Sequence, residues 1–200
     1  MADDNIPANG HPEGGAPETE EAAPEFGVKP TPESAMVDLA GSADETLLLP
    51  KSGKIPYFFA YDHFMDQAVV ARYVRGLVPA KIVRASNYRI VWPWFFPPEG
   101  TALPSLQRSA GSDVWGLLYD ARTVKFDKLD SHLNCPNRYH RRAVQVLDRG
   151  DRRFSAFTYV LSVSDEGNHK PSENYLKHLV ETAENRGLPS EWVEKLRGLV

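Results

Sequence analysis

The chain has 200 residues, of which 42% are hydrophobic, so it is long enough for one modest domain plus a tail. No apolar run approaches the roughly 18 residues that cross a bilayer, and no apolar N-terminal signal is present, so we expect no membrane partner and a cytoplasmic protein. The single cysteine, Cys135, excludes an internal disulfide and agrees with a reducing compartment.

The net charge of −4 is distributed unevenly along the chain. Residues 1–45 carry eleven Asp and Glu residues against one basic residue, Lys29, and they are rich in Pro, Glu, Ala and Gly. A segment with so few large apolar residues cannot offset its chain entropy, so we predict a disordered acidic tail over 1–45 and one folded domain over 46–200. The domain has a net charge of +6 without any nucleic-acid motif, so we expect no nucleic-acid partner.

The first predicted element is a buried strand that runs into a loop and a helix. The run from Pro56 to Tyr61 is apolar and aromatic, which favours a strand buried on both faces. Asp62-His63-Phe64 follows, and Asp66 is placed to cap a helix whose apolar residues recur at helical spacing: Val69, Val70, Tyr73, Val74 and Leu77. Because a strand–loop–helix junction collects backbone N–H groups, we predict a ligand site at this loop.

The next stretch combines an alternating pattern with an unusual aromatic segment. Residues 80–91 alternate apolar and polar side chains and predict one or two strands. Residues 92–100 (WPWFFPPEG) hold four aromatic residues and three prolines, a composition that disfavours a helix or an inner strand. We predict a rigid aromatic loop there. It either closes the core or walls a ligand pocket, in which case Trp92, Trp94 and Phe95 contact the ligand.

The remaining chain predicts strands followed by helices. A strand at 113–119 contains Gly116, which permits close approach of another backbone. The other predicted elements are a short helix at 124–132, a hairpin of 139–147 with 152–162, a helix from Ser172 to Gly187 and a last helix at 190–199. Together the elements predict an α+β fold: a small, mostly antiparallel, barrel-like sheet with peripheral helices.

Four blocks of this sequence, in order, resemble motifs of the γ-glutamylcyclotransferase (AIG2-like) family. Tyr61–Asp66 (YDHFMD) resembles the family's Y-G-S-N-M-D, and Gly111–Tyr119 (GSDVWGLLY) resembles its G-S-x-V-W-G-V-x-Y strand. Leu129-Asp130 followed by Tyr139 resembles the L-D-x-x-E-G…Y block. Pro171–Leu176 (PSENYL), with Gly187-Leu188-Pro189, resembles the C-terminal P-S-x-x-Y and G-L-P helix. The resemblance covers about residues 55–200 and implies the family's fold.

The chain departs from the family at both halves of the expected site. In the family, the substrate's α-amine attacks its γ-carbonyl, a Glu relays the proton, and loop N–H groups receive negative charge. The position that matches this Glu is Leu133, which carries no proton, and the family's Gly-Ser-Asn loop is Asp62-His63-Phe64. His132 is adjacent to Leu133, but it replaces the Glu only if the helical turn unwinds there. Tyr61, Tyr139 and Tyr175 match family tyrosines and are expected to line the same cavity.

Asp62 and His63 are the stronger candidates for catalytic residues. Asp62 would repel the anionic groups that the family's loop receives. Either the ligand is neutral or cationic, or a raised pKa makes Asp62 an acid or base. The alternative is that both residues only cap the helix and face solvent. The histidines show no metal-ligand spacing and no second cysteine is present, so we predict no metal and no cofactor.

Three functions remain open from the sequence. The leading one is a repurposed lyase, cyclase or isomerase that acts on an aromatic or hydrophobic small molecule, by analogy with family members in fungal secondary metabolism. The others are a true cyclotransferase with a relocated base and a non-catalytic binding module. Whether the chain is a monomer or a homodimer is also open. The predicted catalytic residues are Asp62, His63 and His132; the predicted ligand contacts are Tyr61, Phe64, Trp92, Trp94, Phe95, Leu133, Tyr139 and Tyr175.

Overall fold

Residues 55–162 and 168–200 are described by the computed structural model, so the predicted tail at 1–45 lies outside the described residues. The strands are β1 (Tyr57–Ala60), β2 (Pro79–Phe96), β3 (Thr101–Asp120), β4 (Tyr139–Asp148) and β5 (Arg153–Leu161). The helices are α1 (Gln67–Val70), α2 (Asp127–His132), α3 (Glu173–Asn185) and α4 (Ser190–Arg197), with 3-10 turns at His63–Met65 and Pro97–Glu99. Within the described residues, no helix is long and apolar enough to cross a membrane.

The five strands close into a barrel in the order β1-β3-β2-β4-β5. Every pair is antiparallel except β1 with β5, where Tyr57 pairs with Ala156 and Phe58 with Phe157. The apolar faces of the strands form one core with the buried side of α3 and α4. The predicted α+β fold with a mostly antiparallel barrel and peripheral helices is confirmed, as is the hairpin of β4 and β5.

The aromatic segment is a strand for most of its length, so the predicted loop at 92–100 was wrong. Trp92–Phe96 is the last part of β2, and it pairs with the start of β3 through Trp94–Leu103 and Phe96–Thr101. The ladder shifts register between Val91 and Trp94, which places Pro93 at an irregularity. A proline is tolerated there because its missing N–H interrupts no regular ladder bond. Only Pro97–Glu99 leaves the strand, as the 3-10 turn that joins β2 to β3.

The first predicted helix is much shorter than its apolar spacing suggested. Asp66 caps α1 as expected, because its Oδ1 accepts a hydrogen bond from the Ala68 N–H at 2.8 Å. The regular helix ends at Val70, and the chain continues as turns to Gly76, whose φ is +77°. Val70, Val74 and Leu77 are nevertheless fully buried. Tertiary burial therefore explains the apolar spacing without a continuous helix.

β1 and β3 approach each other closely at Gly116. A Cβ atom at this glycine would lie 2.1 Å from the Ala60 carbonyl oxygen and 2.9 Å from Cε2 of Phe59. The pairing of Ala60 with Leu117 fixes this crossing, and β1 ends immediately afterwards. The close approach that the sequence predicted at Gly116 thus determines where the chain leaves the barrel.

Gly116→Ala should destabilise the protein, because the added methyl group collides with backbone atoms that cannot rotate away. We expect a loss of at least about 1–3 kcal/mol in the free energy of unfolding, the range for an overpacked core. Gly198→Ala is the matched control, since a Cβ there meets its nearest atom at an ordinary 3.5 Å. Equal urea-unfolding midpoints for the two variants would contradict the close packing of β1 on β3.

Candidate functional site

The loop after β1 buries a carboxyl group. Asp62 is only 6% exposed, and its Oδ1 accepts a hydrogen bond from the Phe64 N–H at 3.0 Å. In this way Asp62 caps the 3-10 turn His63–Met65. The side chain caps a turn, as one of the two interpretations held, but it is buried rather than facing solvent.

The burial of Asp62 changes its acidity. Desolvation raises the pKa of this carboxyl group above its ordinary range, because burial disfavours the charged form. Neighbouring His63 and the backbone N–H groups of Phe64 and Asp62 lower the pKa and so oppose part of this shift. The net shift of the Asp62 pKa is upward, so this group holds its proton to a higher pH than an exposed aspartate does.

Three tyrosines from different parts of the chain lie within electrostatic reach of this carboxyl group. Tyr61 and Tyr139 are buried, and Tyr175 in the first turn of α3 is half-buried. Tyr61 donates its hydroxyl hydrogen to the Tyr159 carbonyl at 3.0 Å. Burial raises the pKa of all three hydroxyls above the usual value, and the charge of Asp62 raises each further. The three therefore remain neutral hydroxyl groups near Asp62.

His63 links the loop to α3 and to β2. Its Nδ1 lies 3.3 Å from the Tyr175 hydroxyl oxygen, within hydrogen-bonding distance. The Tyr175 ring in turn meets Trp92 edge-on, with ring centroids 5.7 Å apart. The His63 ring lies against Phe64 at 4.1 Å. The structure thus brings four predicted site residues, His63, Phe64, Trp92 and Tyr175, into one contact chain beside Asp62.

Leu133 and His132 lie at the end of α2. Leu133 is the C-cap residue and is 5% exposed, so an apolar side chain fills the position that matches the family's Glu. The turn is intact, because the Leu133 N–H donates to the Leu129 carbonyl at 2.9 Å. His132 keeps its own side of the helix and stacks on Tyr73, with centroids 4.2 Å apart. The unwinding that would let His132 replace the family's Glu is therefore absent at this turn.

Trp94 and Phe95 lie farther along β2 than the contact chain. Trp94 is half-buried and packs against Phe96 at 5.5 Å between ring centroids. Phe95 is 39% exposed and lies 6.4 Å from the His169 ring. Trp92 is the residue of this segment that reaches the contact chain, through its edge-on contact with Tyr175.

Asp130 has a structural role at the opposite side of α2. Its carboxylate accepts two hydrogen bonds from Arg141, at 3.0 Å and 2.6 Å, and one from the Tyr159 hydroxyl at 2.7 Å. These bonds attach α2 to β4 and β5. They fix the helix end that carries His132 and Leu133.

One charged residue near the site was missed in the sequence. Glu99 ends the turn between β2 and β3. Burial lowers the pKa of His132, and the charge of Glu99 opposes part of this shift. Burial raises the pKa of Tyr139 and Tyr175, and the charge of Glu99 adds a smaller contribution. Glu99 lies outside the four family-like blocks. The available signal was the Pro-Pro-Glu-Gly sequence, which is typical of a tight turn.

A separate cleft lies beside α3 and contains none of the predicted site residues. Its volume is about 300 Å³, and charged and polar side chains line it: Asp66, His178, Glu181, Thr182, Asn185 and Arg186. Asp66 and His178 approach to 3.4 Å across it.

Comparisons with known proteins agree with the fold. A model of the AIG2-like family matches residues 113–196, which include Leu133 but not the Asp62 loop. A solved structure named gamma-glutamyl cyclotransferase is similar over 70% of this chain and 85% of its own, with TM-score 0.65 and 18% identity. The uncharacterized protein loc79017 from Homo sapiens has TM-score 0.61 and 18% identity, covering 71% of this chain and 86% of its own.

YkqA from Bacillus subtilis is also similar, with TM-score 0.57 and 22% identity over 73% of this chain and 54% of its own. No curated protein matches the chain by sequence. The identities are low, so these structures show a shared fold and leave activity open. The predicted resemblance to the γ-glutamylcyclotransferase-like, AIG2-like family is confirmed.

Asp62→Asn should make the protein more stable at pH 7 than the wild type. The pKa of Asp62 is higher in the folded chain than in the unfolded chain. Its contribution to stability is therefore fully present below the unfolded pKa and is lost as pH rises through the folded pKa. Asparagine cannot ionise, and its oxygen can still accept the Phe64 N–H. The stability difference, measured by urea unfolding, should vanish below about pH 4.

Asp120→Asn is the control with the opposite sign. Hydrogen bonds from Arg122 lower the pKa of this exposed carboxyl group to about 2, so its contribution is present at neutral pH and lost as pH falls. We interpret Asp62 as a buried acid with a raised pKa. This interpretation would be contradicted if the stability difference between Asp62→Asn and the wild type were the same at pH 4 and at pH 7.

Proposed function

We propose that this γ-glutamylcyclotransferase-like chain is an enzyme that needs no cofactor and transfers protons on a neutral aromatic or hydrophobic small molecule. Asp62 is the acid–base residue. One observation carries the proposal: the loop after β1 holds a buried carboxyl group whose pKa is raised by desolvation. Buried carboxyl groups with raised pKa values are typical of acid–base sites.

The loop argues against the reaction of the family. A cyclotransferase substrate brings negative charge to the loop N–H groups, but here the Phe64 N–H already donates to Asp62 Oδ1. An ionised Asp62 would also repel a carboxylate. Leu133 at the position of the family's Glu removes the proton relay. These three changes together favour a substrate without a carboxylate at this position.

The surroundings of Asp62 favour an apolar substrate. Trp92, Phe64 and Leu133 are apolar and buried, and His63 lies within hydrogen-bonding distance of the Tyr175 hydroxyl as a second group that can exchange a proton. Lyase, cyclase and isomerase reactions each require one proton to be removed and one to be delivered, and paired acid and base groups suffice for this. We extend the proposal to fungal secondary metabolism by family analogy alone.

The test uses 2-indanone, a neutral aromatic ketone, as a probe of proton transfer. The wild type should accelerate the exchange of its α-hydrogens for deuterium in D2O, followed by NMR. Asp62→Asn should slow the enzyme-dependent exchange by about 10²–10⁴-fold, the usual loss when a general acid or base is removed. Asp120→Asn, an exposed aspartate outside the site, should retain the wild-type rate.

Three results would overturn the proposal. One is no acceleration of the exchange by the wild type, and the second is exchange by Asp62→Asn at the wild-type rate. The third is robust release of 5-oxoproline from γ-glutamyl amino acids by the wild type or by Leu133→Glu, which restores the family's carboxylate. We expect no 5-oxoproline from either protein, because the Phe64 N–H already donates to Asp62 and is not free to bind a carboxylate.

A further inference from the structure

One wall of the cleft beside α3 is formed by two neighbouring rows of side chains on that helix. His178, Thr182 and the C-cap residue Arg186 form one row, and Glu181 and Asn185 form the other. Residues four apart on a helix lie one above the other on the same face, so both rows line one side of the cleft. α3 therefore presents a continuous polar surface to a cavity of about 300 Å³.

The other wall belongs to the turn that follows β1. Asp66 Oδ1 accepts the Ala68 N–H at 2.8 Å, so this oxygen is occupied by the cap of α1. Asp66 Oδ2 lies 3.4 Å from Nε2 of His178 on α3. The Asp66 backbone N–H donates to the His63 carbonyl at 3.1 Å. These three contacts fix the Asp66 carboxylate at one end of the cleft.

Two charged side chains of the cleft have no ion-pair partner among the residues that the structure describes. They are Glu181 and the half-buried Arg186. Other glutamates of α3 are paired: Glu173 with the lysine four residues farther along at 3.7 Å, and Glu184 with Arg197. The helix therefore pairs its charges away from the cleft and leaves one anion and one cation unpaired where the cleft lies.

The charges lie at separate places along the cleft. Asp66 is next to His178, and Arg186 lies eight residues farther along α3, about 12 Å at 1.5 Å per residue. Side chains on a helix lean toward its N-terminus, so the long Arg186 side chain shortens this gap. Glu181 lies between the two ends, on the neighbouring row. The cleft thus has carboxylates at one end and a guanidinium group toward the other.

These groups match a molecule that carries both charges. The two carboxylates would bind an ammonium group, and the Arg186 guanidinium group would bind a carboxylate through two hydrogen bonds. Asp66 and Glu181 would repel a simple anion, and Arg186 would repel a simple cation. Among the described residues that line the cleft, none is Phe, Tyr or Trp, which argues against a ligand that binds by stacking on such rings.

We propose that this cleft binds a small, extended zwitterion such as an ω-amino acid, with its ammonium group at Asp66 and Glu181 and its carboxylate on Arg186. The cleft volume is at the lower end of the usual range for ligand pockets, which suits a small molecule. The cleft is lined by none of the residues that carry the proposed function, so the inference does not rest on that function.

The test uses 6-aminohexanoate, whose ammonium and carboxylate groups are at opposite ends of an extended chain. Its binding to protein labelled with nitrogen-15 is followed by NMR, and saturable shifts should appear at the amides of α3 and of the Asp66 turn. We expect a Kd of about 1 mM or below. Hexanoate and pentylamine each lack one of the two charges and should bind at least about tenfold more weakly, because one charge-assisted contact is lost. Glycine, whose charged groups are too close together, should bind as weakly.

Two variants and two matched controls assign the contacts. Arg186→Gln and Glu181→Gln should each weaken the binding of 6-aminohexanoate by about tenfold or more. Arg153→Gln, at an exposed arginine that begins β5, and Glu99→Gln, in the exposed turn between β2 and β3, lie outside the lining and should bind as the wild type does. Because Glu181 is exposed, Glu181→Gln still tests the site if Arg186→Gln lowers the melting temperature.

Every other outcome counts against the inference. The absence of saturable shifts up to about 10 mM 6-aminohexanoate, ten times the expected Kd, would overturn it. Equal binding of hexanoate or pentylamine would overturn the zwitterion, and equal binding of glycine would overturn the extended spacing. Wild-type affinity in both Arg186→Gln and Glu181→Gln would overturn the assigned contacts. None of these results bears on the exchange of 2-indanone by Asp62, so failure here and failure of the proposed function are distinguishable.

Discussion

The desolvation of one carboxyl group constrains this end of the barrel. β1 is fixed against β3 at Gly116, and the chain then buries Asp62 within electrostatic reach of Tyr61, Tyr139 and Tyr175. A buried carboxylate is costly, and protonation reduces that cost. The packing of the chain after β1 therefore determines the acidity of Asp62.

The loop also carries departures from the family that the sequence resembles. In the family that the sequence resembles, the loop N–H groups meet negative charge on the substrate. Here the Asp62 side chain occupies the Phe64 N–H, and Leu133 fills the position of the proton relay with apolar atoms. These two differences are the basis for proposing a substrate that brings no carboxylate to the loop.

The sequence predicted the barrel well and the site less completely. Strands and helices with strong periodicity, such as α3 and the β4–β5 hairpin, were found because burial on one face determines their pattern. The strand over Trp92–Phe96 was missed because local proline content suggested a loop, whereas a register shift at Pro93 accommodates it. The attachment of the β2–β3 connection to α2 and α3 was not predicted, because it depends on distant contacts of Phe96 with Arg138 and of Thr101 with Ser172, which no local pattern contains.

The central claim is that Asp62 is a buried acid, and a direct titration tests it most simply. Protein labelled with carbon-13 at aspartate carboxyl groups would be followed by NMR across pH, with Asp62→Asn identifying the Asp62 signal. The account predicts that Asp62 titrates above the ordinary range of aspartate, in the opposite direction to Asp120, whose pKa Arg122 lowers to about 2. A midpoint for Asp62 at or below the ordinary aspartate value of about 3.9 would contradict it.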